Sequence, residues 1–153
     1  MSRIDDRLAE LGITLPDPVA PVANYVPYVK SGNLVFISGQ VSIGADGLIT
    51  GKVGEDLSLE DGVNAAKACG ISLIAQLKNA CDGDLDRVVR VIKLGGFVNC
   101  RENFTDQPKI VNGTSDLMVD VFGDAGRHAR AAVGAPALPL NAAVEVDGVF
   151  EIK

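Results

Sequence analysis

The sequence predicts an α+β fold in which one β-sheet carries two helices on the same face. Two segments repeat apolar residues at the spacing of a helix, whereas others are short runs rich in Val and Ile that are typical of strands. The predicted order is β-β-α-β-α-β-β after an N-terminal extension. Because the strands outnumber the helices and occur in neighbouring pairs at both ends, we expect hairpins and a sheet covered on one side.

The N-terminal extension is predicted to be a short helix followed by a stiff connector. Ile4 to Leu11 has an amphipathic pattern, and Gly12 stops it. Pro16 to Pro21 is rich in proline, which fixes its own backbone and restricts the preceding residue. We therefore assign residues 1–20 to this extension and residues 21–153 to a single domain.

The first hairpin is predicted from two strand-like runs joined by a turn. Tyr25 to Lys30 and Leu34 to Ser38 flank the turn at Ser31-Gly32-Asn33. Val41 to Lys52 is rich in glycine and is predicted to be a loop. Val88 to Val98 contains many Val and Ile residues and is predicted to be the next strand.

Both long helices are predicted from their start signals and their apolar spacing. Ser58 and Asp61 form a capping-box pattern, and that helix should end near Cys81-Asp-Gly83. The second helix starts at Asp106-Gln-Pro108, where proline is allowed in the first turn, and ends at Gly123 to Gly126. The predicted buried faces are Val63, Ala66, Gly70, Leu73, Ile74 and Leu77 in the first helix and Ile110, Thr114, Leu117, Met118 and Val121 in the second.

The last two strands are predicted at His128 to Ala135 and Ala142 to Ile152, joined by a turn that contains proline. These apolar runs carry Arg130 and Glu145. An arginine among small apolar residues needs a partner, and its planar fork suits a carboxylate. A short hairpin would bring Arg130 near Glu145 and lower the pKa of that carboxyl. The residues alone leave two alternatives open, a structural salt bridge or a fork for a ligand carboxylate.

The composition excludes several classes of function. The net charge of −6 and the absence of a run of Lys or Arg argue against nucleic acid as a partner. No apolar stretch has the length of a membrane span, and the N-terminus lacks the apolar core of a signal peptide. The three cysteines, Cys69, Cys81 and Cys100, lack Cys-x-x-Cys spacing, so we expect reduced thiols and a cytoplasmic location.

The residues also exclude most catalytic constellations. His128 is the single histidine, so no histidine-based metal cluster can form, and no Gly-x-Ser-x-Gly elbow presents a serine to it. The glycine-rich loops match neither a P-loop nor a dinucleotide fingerprint. We therefore expect no metal and no organic cofactor. An enzyme with these residues would act through charge, positioning and an ordered water.

The C-terminal segment has the pattern Arg130-Ala-Ala-Val, then Leu138-Pro139, then Val144-Glu145-Val146. This pattern resembles that of the RidA/YjgF family, also known as the L-PSP endoribonuclease or chorismate-mutase-like group. Tyr25 with the segment from Val29 to Gln40 resembles the family's N-terminal hairpin, and Val111-Asn112-Gly-Thr resembles the start of its second helix. The resemblance runs from about Tyr25 to Val149.

This resemblance implies a mixed sheet with two helices on one face, assembled as a barrel-like homotrimer with clefts between subunits. It also implies hydrolysis of 2-enamine and 2-imine acids such as 2-aminoacrylate to 2-keto acids and ammonia, the activity of a 2-iminobutanoate/2-iminopropanoate deaminase. The expected ligand is thus a small carboxylate, with no cofactor. Two alternatives are a non-catalytic protein that binds 2-keto acids and, less favoured, an endoribonuclease.

The family's site residues can be placed one by one. The resemblance implies that Arg130 binds the substrate carboxylate, that Tyr25 is a second donor, and that Glu145 places the attacking water. The same resemblance assigns Ser38, Gly39 and Asn112 to substrate binding. Without it, Asn112 would serve only solvent or local backbone bonds. The sequence departs from the family at Ala132, where a cysteine is frequent, so a thiol switch should be absent.

Overall fold

The computed structural model describes residues 2–18, 20 and 23–153. It confirms the predicted class, since one mixed sheet is packed against helices. The helices are α1 (Arg3–Glu10), α2 (Leu59–Ala80) and α3 (Gln107–Phe122), and the strands are β1 (Tyr28–Ser31), β2 (Leu34–Val41), β3 (Ile43–Gly44), β4 (Gly47–Leu48), β5 (Val88–Asn99), β6 (Ala129–Ala135) and β7 (Val144–Ile152).

The main sheet has the strand order β1-β2-β7-β5-β6. Neighbouring strands are antiparallel except for β5 and β6, which are parallel. A helix lies between β2 and β5 in the chain, and another between β5 and β6, as parallel strand directions require. The β1–β2 hairpin was predicted correctly, although β1 starts at Tyr28 rather than at Tyr25.

The predicted C-terminal hairpin is wrong. Both strands exist, as β6 and β7, but β5 lies between them. The crossover through α3 returns β6 beside β5 in parallel, whereas β7 forms hydrogen bonds along both edges, to β2 and to β5. The prediction failed because it took closeness in sequence as evidence of pairing. The predicted loop from Val41 to Lys52 also differs, since it contains the small hairpin of β3 and β4.

The two long helices begin where the capping signals placed them. Ser58 forms a capping box with Asp61 at the start of α2, and Pro108 lies in the first turn of α3. All residues of both predicted faces are buried except Val63, which is half-buried. A Cβ at Gly113 would overlap the carbonyl of Val63, so α2 and α3 are packed at the closest approach that a glycine allows.

The N-terminal helix α1 docks on the rest of the domain. Ile4 and Leu8 are buried, and Asp86 accepts hydrogen bonds from the backbone N–H groups of Arg3 and Ile4 at 2.9 and 3.1 Å. These carboxylate contacts at a helix N-terminus satisfy donors that have no partner within the helix. The predicted helix in the extension is therefore confirmed. Pro21, in the predicted connector, lies outside the described residues.

The two faces of the main sheet differ. Val35, Val91, Leu94 and Val146 point to the helices and are buried. The opposite face, which we call the open face, exposes Val29, Phe36, Phe97 and Val133. A patch of exposed apolar side chains such as this one is typical of a face that another protein chain covers. Among the described residues, no helix is long and apolar enough to cross a membrane.

Candidate functional site

The predicted site residues fall into two groups in this chain. Tyr25, Ser38, Gly39 and Glu145 line one cavity of about 520 Å³. Asn112 and Arg130 lie together elsewhere, at the free edge formed by β6. We call the first set the cavity group and the second the arginine group.

The cavity group is assembled by an irregularity in β2. The pairing of β2 with β7 shifts register between Ile37 and Gln40, as at a β-bulge, and Ser38 and Gly39 occupy the shift. Ser38 donates its hydroxyl hydrogen to the carbonyl of Val26 at 2.8 Å, and its N–H bonds to the carbonyl of Pro27 at 2.9 Å. These bonds fasten the segment that carries Tyr25 to the strand edge beside the cavity.

Gly39 lies directly against Glu145. A Cβ built at residue 39 would overlap the Glu145 carboxylate. The absence of a side chain thus leaves the space that this carboxylate occupies. The rest of the cavity wall is largely apolar, with Val41, Ile43 and Leu140 among its lining residues.

Among the described residues, no arginine forms an ion pair with Glu145. It is half-buried, and this burial raises the pKa of its carboxyl above the ordinary value. The charge of Asp147 raises that pKa further. Within one chain, Arg130 therefore does not lower the pKa of Glu145 as the supposed hairpin predicted. A carboxylate with a raised pKa accepts a proton more readily than an ordinary glutamate does.

Within the described part of this chain, Arg130 and Glu145 do not form the salt bridge that was considered. Arg130 is paired in register with Leu94, whose side chain is buried towards the helices, while Glu145 is paired with Phe97 on the open face. The two charged residues consequently lie on opposite faces of the sheet, with β5 between their strands. No ion pair of Arg130 occurs among the described residues.

Arg130 is held by neutral acceptors on α3. Its Nη1 donates to Asn112 Oδ1 at 2.9 Å and to Ser115 Oγ at 3.1 Å, and its Nη2 donates to the carbonyl of Pro108 at 3.2 Å. Asn112 thus does more than satisfy solvent or its own backbone. The guanidinium has five N–H donors, so these bonds leave the Nε hydrogen and one Nη2 hydrogen for a further acceptor. Nε and Nη2 share one edge of the guanidinium, which suits the two oxygens of a carboxylate.

Ser115 and His128 were not among the predicted site residues. Ser115 lies one helical turn after Asn112, so the spacing of these two polar residues could have indicated a shared partner. His128 was considered but not assigned a role. Its Nε2 lies 2.9 Å from Ser115 Oγ, and its Nδ1 lies 2.6 Å from the carbonyl of Gly126. His128 therefore belongs to the surroundings of the arginine group.

A second cavity, of about 610 Å³, opens near the carboxyl ends of β5 and β6. Arg101, Gln107 and Gly134 are among its lining residues. Lys52, which also lines it, donates hydrogen bonds from Nζ to Asn99 Oδ1 at 2.9 Å and to the carbonyl of Pro136. Among the described residues, no group of His, Cys, Asp and Glu is arranged to hold a metal ion. Neither cavity thus offers an evident metal centre.

Comparison with known proteins identifies related chains. Residues 5–151 match the family model described as "YjgF/chorismate mutase-like, putative endoribonuclease". A protein of Trypanosoma cruzi named Protein TCP17 is 47% identical over 99% of this chain and 95% of its own. A 2-iminobutanoate/2-iminopropanoate deaminase of Dermatophagoides farinae is 25% identical over 92% of this chain and 95% of its own.

A solved structure shares the whole architecture. It is a "putative endoribonuclease" from Shewanella oneidensis MR-1, with a TM-score of 0.93 and 35% identity. The similarity covers 97% of this chain and 99% of that one. The two chains are therefore of similar length.

Proposed function

This chain belongs to the YjgF/chorismate-mutase-like family, and on that premise we propose that it hydrolyses 2-enamine and 2-imine acids to 2-keto acids and ammonia. The observation that carries this proposal is the guanidinium of Arg130, which is held by neutral acceptors with one edge left for a carboxylate. The name of the Dermatophagoides farinae relative supports the same chemistry.

The active site would be shared between two subunits of a homotrimer. Arg130 and Glu145 lie on opposite faces of the sheet, so one protomer does not bring them to one small ligand. The β6 edge of one subunit placed against the cavity group of its neighbour would unite them. The apolar open face supports such an assembly, because its exposed residues, among them Phe36 and Phe97, would be covered by the other subunits.

In the proposed reaction, Arg130 binds the substrate carboxylate and Tyr25 of the neighbouring subunit is a second donor. The enamine tautomerises to the imine, whose carbon is electrophilic. Glu145 accepts a proton from water as the oxygen attacks this carbon and returns it to the nitrogen. The resulting carbinolamine transfers its hydroxyl proton to the nitrogen as the C–N bond breaks, which gives the keto acid and ammonia. The place of Glu145 on the cavity wall, against Gly39, supports its assignment as the base. Free imines hydrolyse readily, so the enzyme needs to lower the barrier by only a few kcal/mol. Each tenfold increase in rate corresponds to about 1.4 kcal/mol.

The test is the lifetime of 2-aminoacrylate or 2-iminobutanoate generated by a pyridoxal-phosphate enzyme, followed by semicarbazide trapping. We expect the wild type to accelerate hydrolysis and Arg130→Ala to lose about a hundredfold in kcat/KM, as expected for removal of a charged hydrogen-bonding group. Arg127→Ala is the matched control, because this arginine is exposed at the surface near β6. An unchanged imine lifetime with the wild type would refute the proposal.

Two other functions are separated by the same assays. A non-catalytic binding protein would bind 2-keto acids through Arg130 without changing the imine lifetime. An endoribonuclease, as the family description suggests, would cleave RNA, but the net charge of −6 offers little attraction for a polyanion. We expect neither RNA binding nor RNA cleavage at low salt.

A further inference from the structure

We propose that Ser115 and His128 are positioning residues for Arg130, and that their hydrogen-bonded chain fixes the direction in which the guanidinium presents its free edge. This inference rests on the proposed function, since it concerns the residue that would bind the substrate carboxylate. These hydrogen bonds lead from Arg130 in β6 through Ser115 in α3 to the segment that joins α3 to β6.

The direction of each hydrogen bond follows from the chemistry of its atoms. A carbonyl oxygen only accepts, so the 2.6 Å contact between His128 Nδ1 and the carbonyl of Gly126 places a hydrogen on Nδ1. In the neutral ring Nε2 is then the acceptor. Ser115 must donate its hydroxyl hydrogen across the 2.9 Å to this nitrogen.

With its hydrogen directed at His128, the Ser115 oxygen keeps its lone pairs for Arg130. Nη1 of Arg130 donates to it at 3.1 Å. Three hydrogen bonds therefore follow one another. Arg130 Nη1 donates to Ser115 Oγ, Ser115 Oγ donates to His128 Nε2, and His128 Nδ1 donates to the carbonyl of Gly126. Each group donates to the next one, so the hydroxyl has one orientation instead of several.

The chain also ties the guanidinium to the packing of α3 against β6. His128 lies just before β6, and both its side chain and that of Arg130 reach Ser115 on α3. Gly126 lies in the 3-10 turn from Gly123 to Gly126, and a Cβ there would overlap the backbone of Met118 in α3. The final acceptor of the chain is thus pressed against the helix that also carries Ser115.

The consequence for a ligand is an arginine with a fixed orientation. Asn112 and Ser115 engage Nη1, and the carbonyl of Pro108 engages Nη2. Without Ser115, Nη1 keeps the single side-chain acceptor Asn112, and the guanidinium can turn away from the orientation that suits the carboxylate. Removing Ser115 or His128 should therefore weaken binding of the carboxylate while leaving the groups that act on the imine carbon in place.

The experiment measures Kd for 2-oxobutanoate by calorimetry together with kcat and KM for 2-iminobutanoate. We expect Ser115→Ala and His128→Phe each to raise Kd and KM about tenfold, a change of about 1.4 kcal/mol, with kcat within about twofold of the wild type. The double variant should bind no more weakly than either single variant, because both changes break the same chain. Ser115→Thr keeps a hydroxyl and should restore most of the affinity.

The controls distinguish this inference from the function on which it rests. Asp116→Ala, at an exposed residue beside Ser115, should leave Kd unchanged. If Arg130→Ala binds 2-oxobutanoate like the wild type, the proposed function fails. If Arg130→Ala abolishes binding while Ser115→Ala and His128→Phe keep Kd within twofold, only the positioning role is overturned. Additive effects in the double variant, or a fall in kcat that parallels a loss of stability to urea, would also overturn it.

Discussion

The backbone of Gly39 lies against the carboxylate of Glu145, in the place that a side chain at residue 39 would fill. Gly39 does not have the left-handed backbone that favours glycine at turns, so the contact itself accounts for the glycine. The register shift in β2 brings the two residues together, although they belong to distant parts of the sequence. A strand irregularity thereby sets the position of the proposed base.

Substitution of Gly39 by alanine should impair activity more than folding. The overlapping atom is the far end of a flexible side chain, so Glu145 can move aside, but it then leaves its position beside the cavity. We expect kcat/KM to fall about tenfold or more, with a loss of stability below about 1 kcal/mol. Steady-state kinetics and urea unfolding measure the two effects. Gly44→Ala is the control, since its Cβ would make only ordinary contact with Ile49; equal loss of activity in both variants would contradict the prediction.

The raised pKa of Glu145 predicts a pH dependence of stability. The folded state holds the proton more tightly than the unfolded chain, so this contribution to stability is complete below the unfolded pKa and is lost as pH rises through the folded pKa. Glu145→Gln stays neutral and should be more stable than the wild type at neutral pH, with the difference vanishing below about pH 4. Urea midpoints of both proteins across this range test it. A difference independent of pH would exclude ionisation of Glu145 as the cause.

A site shared between subunits predicts complementation between two inactive variants. Arg130→Ala and Glu145→Gln remove residues that would come from different subunits of each site. Unfolding and refolding equal amounts of the two variants together should form a statistical population of trimers in which about a quarter of all sites have both residues. We expect about that fraction of wild-type activity, measured with the imine assay. No recovery in trimers shown to be mixed would contradict a shared site, and each variant refolded alone is the control.

A cysteine introduced at Ala132 should make the protein sensitive to thiol reagents. Ala132 lies two residues from Arg130 on the same side of β6 and is half-exposed. The native Cys69, Cys81 and Cys100 are buried, and burial raises the pKa of Cys69 and Cys81, which lowers the fraction of reactive thiolate. Treatment with N-ethylmaleimide should inactivate Ala132→Cys about tenfold or more and leave the wild type active. Mass spectrometry identifies the modified residue. Equal inactivation of the wild type by the same treatment would contradict the prediction.

Local signals in the sequence predicted the elements of this fold but not all of their pairing. The capping pair Ser58 and Asp61 and the proline at Pro108 are short-range features, so they located the starts of α2 and α3. The position of β7 between β2 and β5 depends on contacts between distant residues. Its alternation of buried and exposed residues indicates a strand but not its neighbours, because any antiparallel partner satisfies the same alternation.

The same limit applies to the candidate site. The resemblance brought Tyr25, Ser38, Gly39 and Glu145 into one hypothesis, and the structure places these four around one cavity. The pairing of Arg130 with Glu145 rested on the supposed hairpin and failed with it. Ser115 escaped notice because a serine in a helix has no chemical pattern of its own until its neighbours in space are known.

Arg130 is immobilised by the protein before any ligand arrives. An arginine side chain has many rotamers, and restricting them costs roughly 2 kcal/mol of conformational entropy. Here the bonds to Asn112, Ser115 and Pro108 have already imposed that restriction during folding. A carboxylate ligand therefore meets a rigid cation, and the entropy lost on association falls mainly on the ligand itself. For a ligand of only a few atoms, which makes few contacts, this is the condition under which binding can be selective.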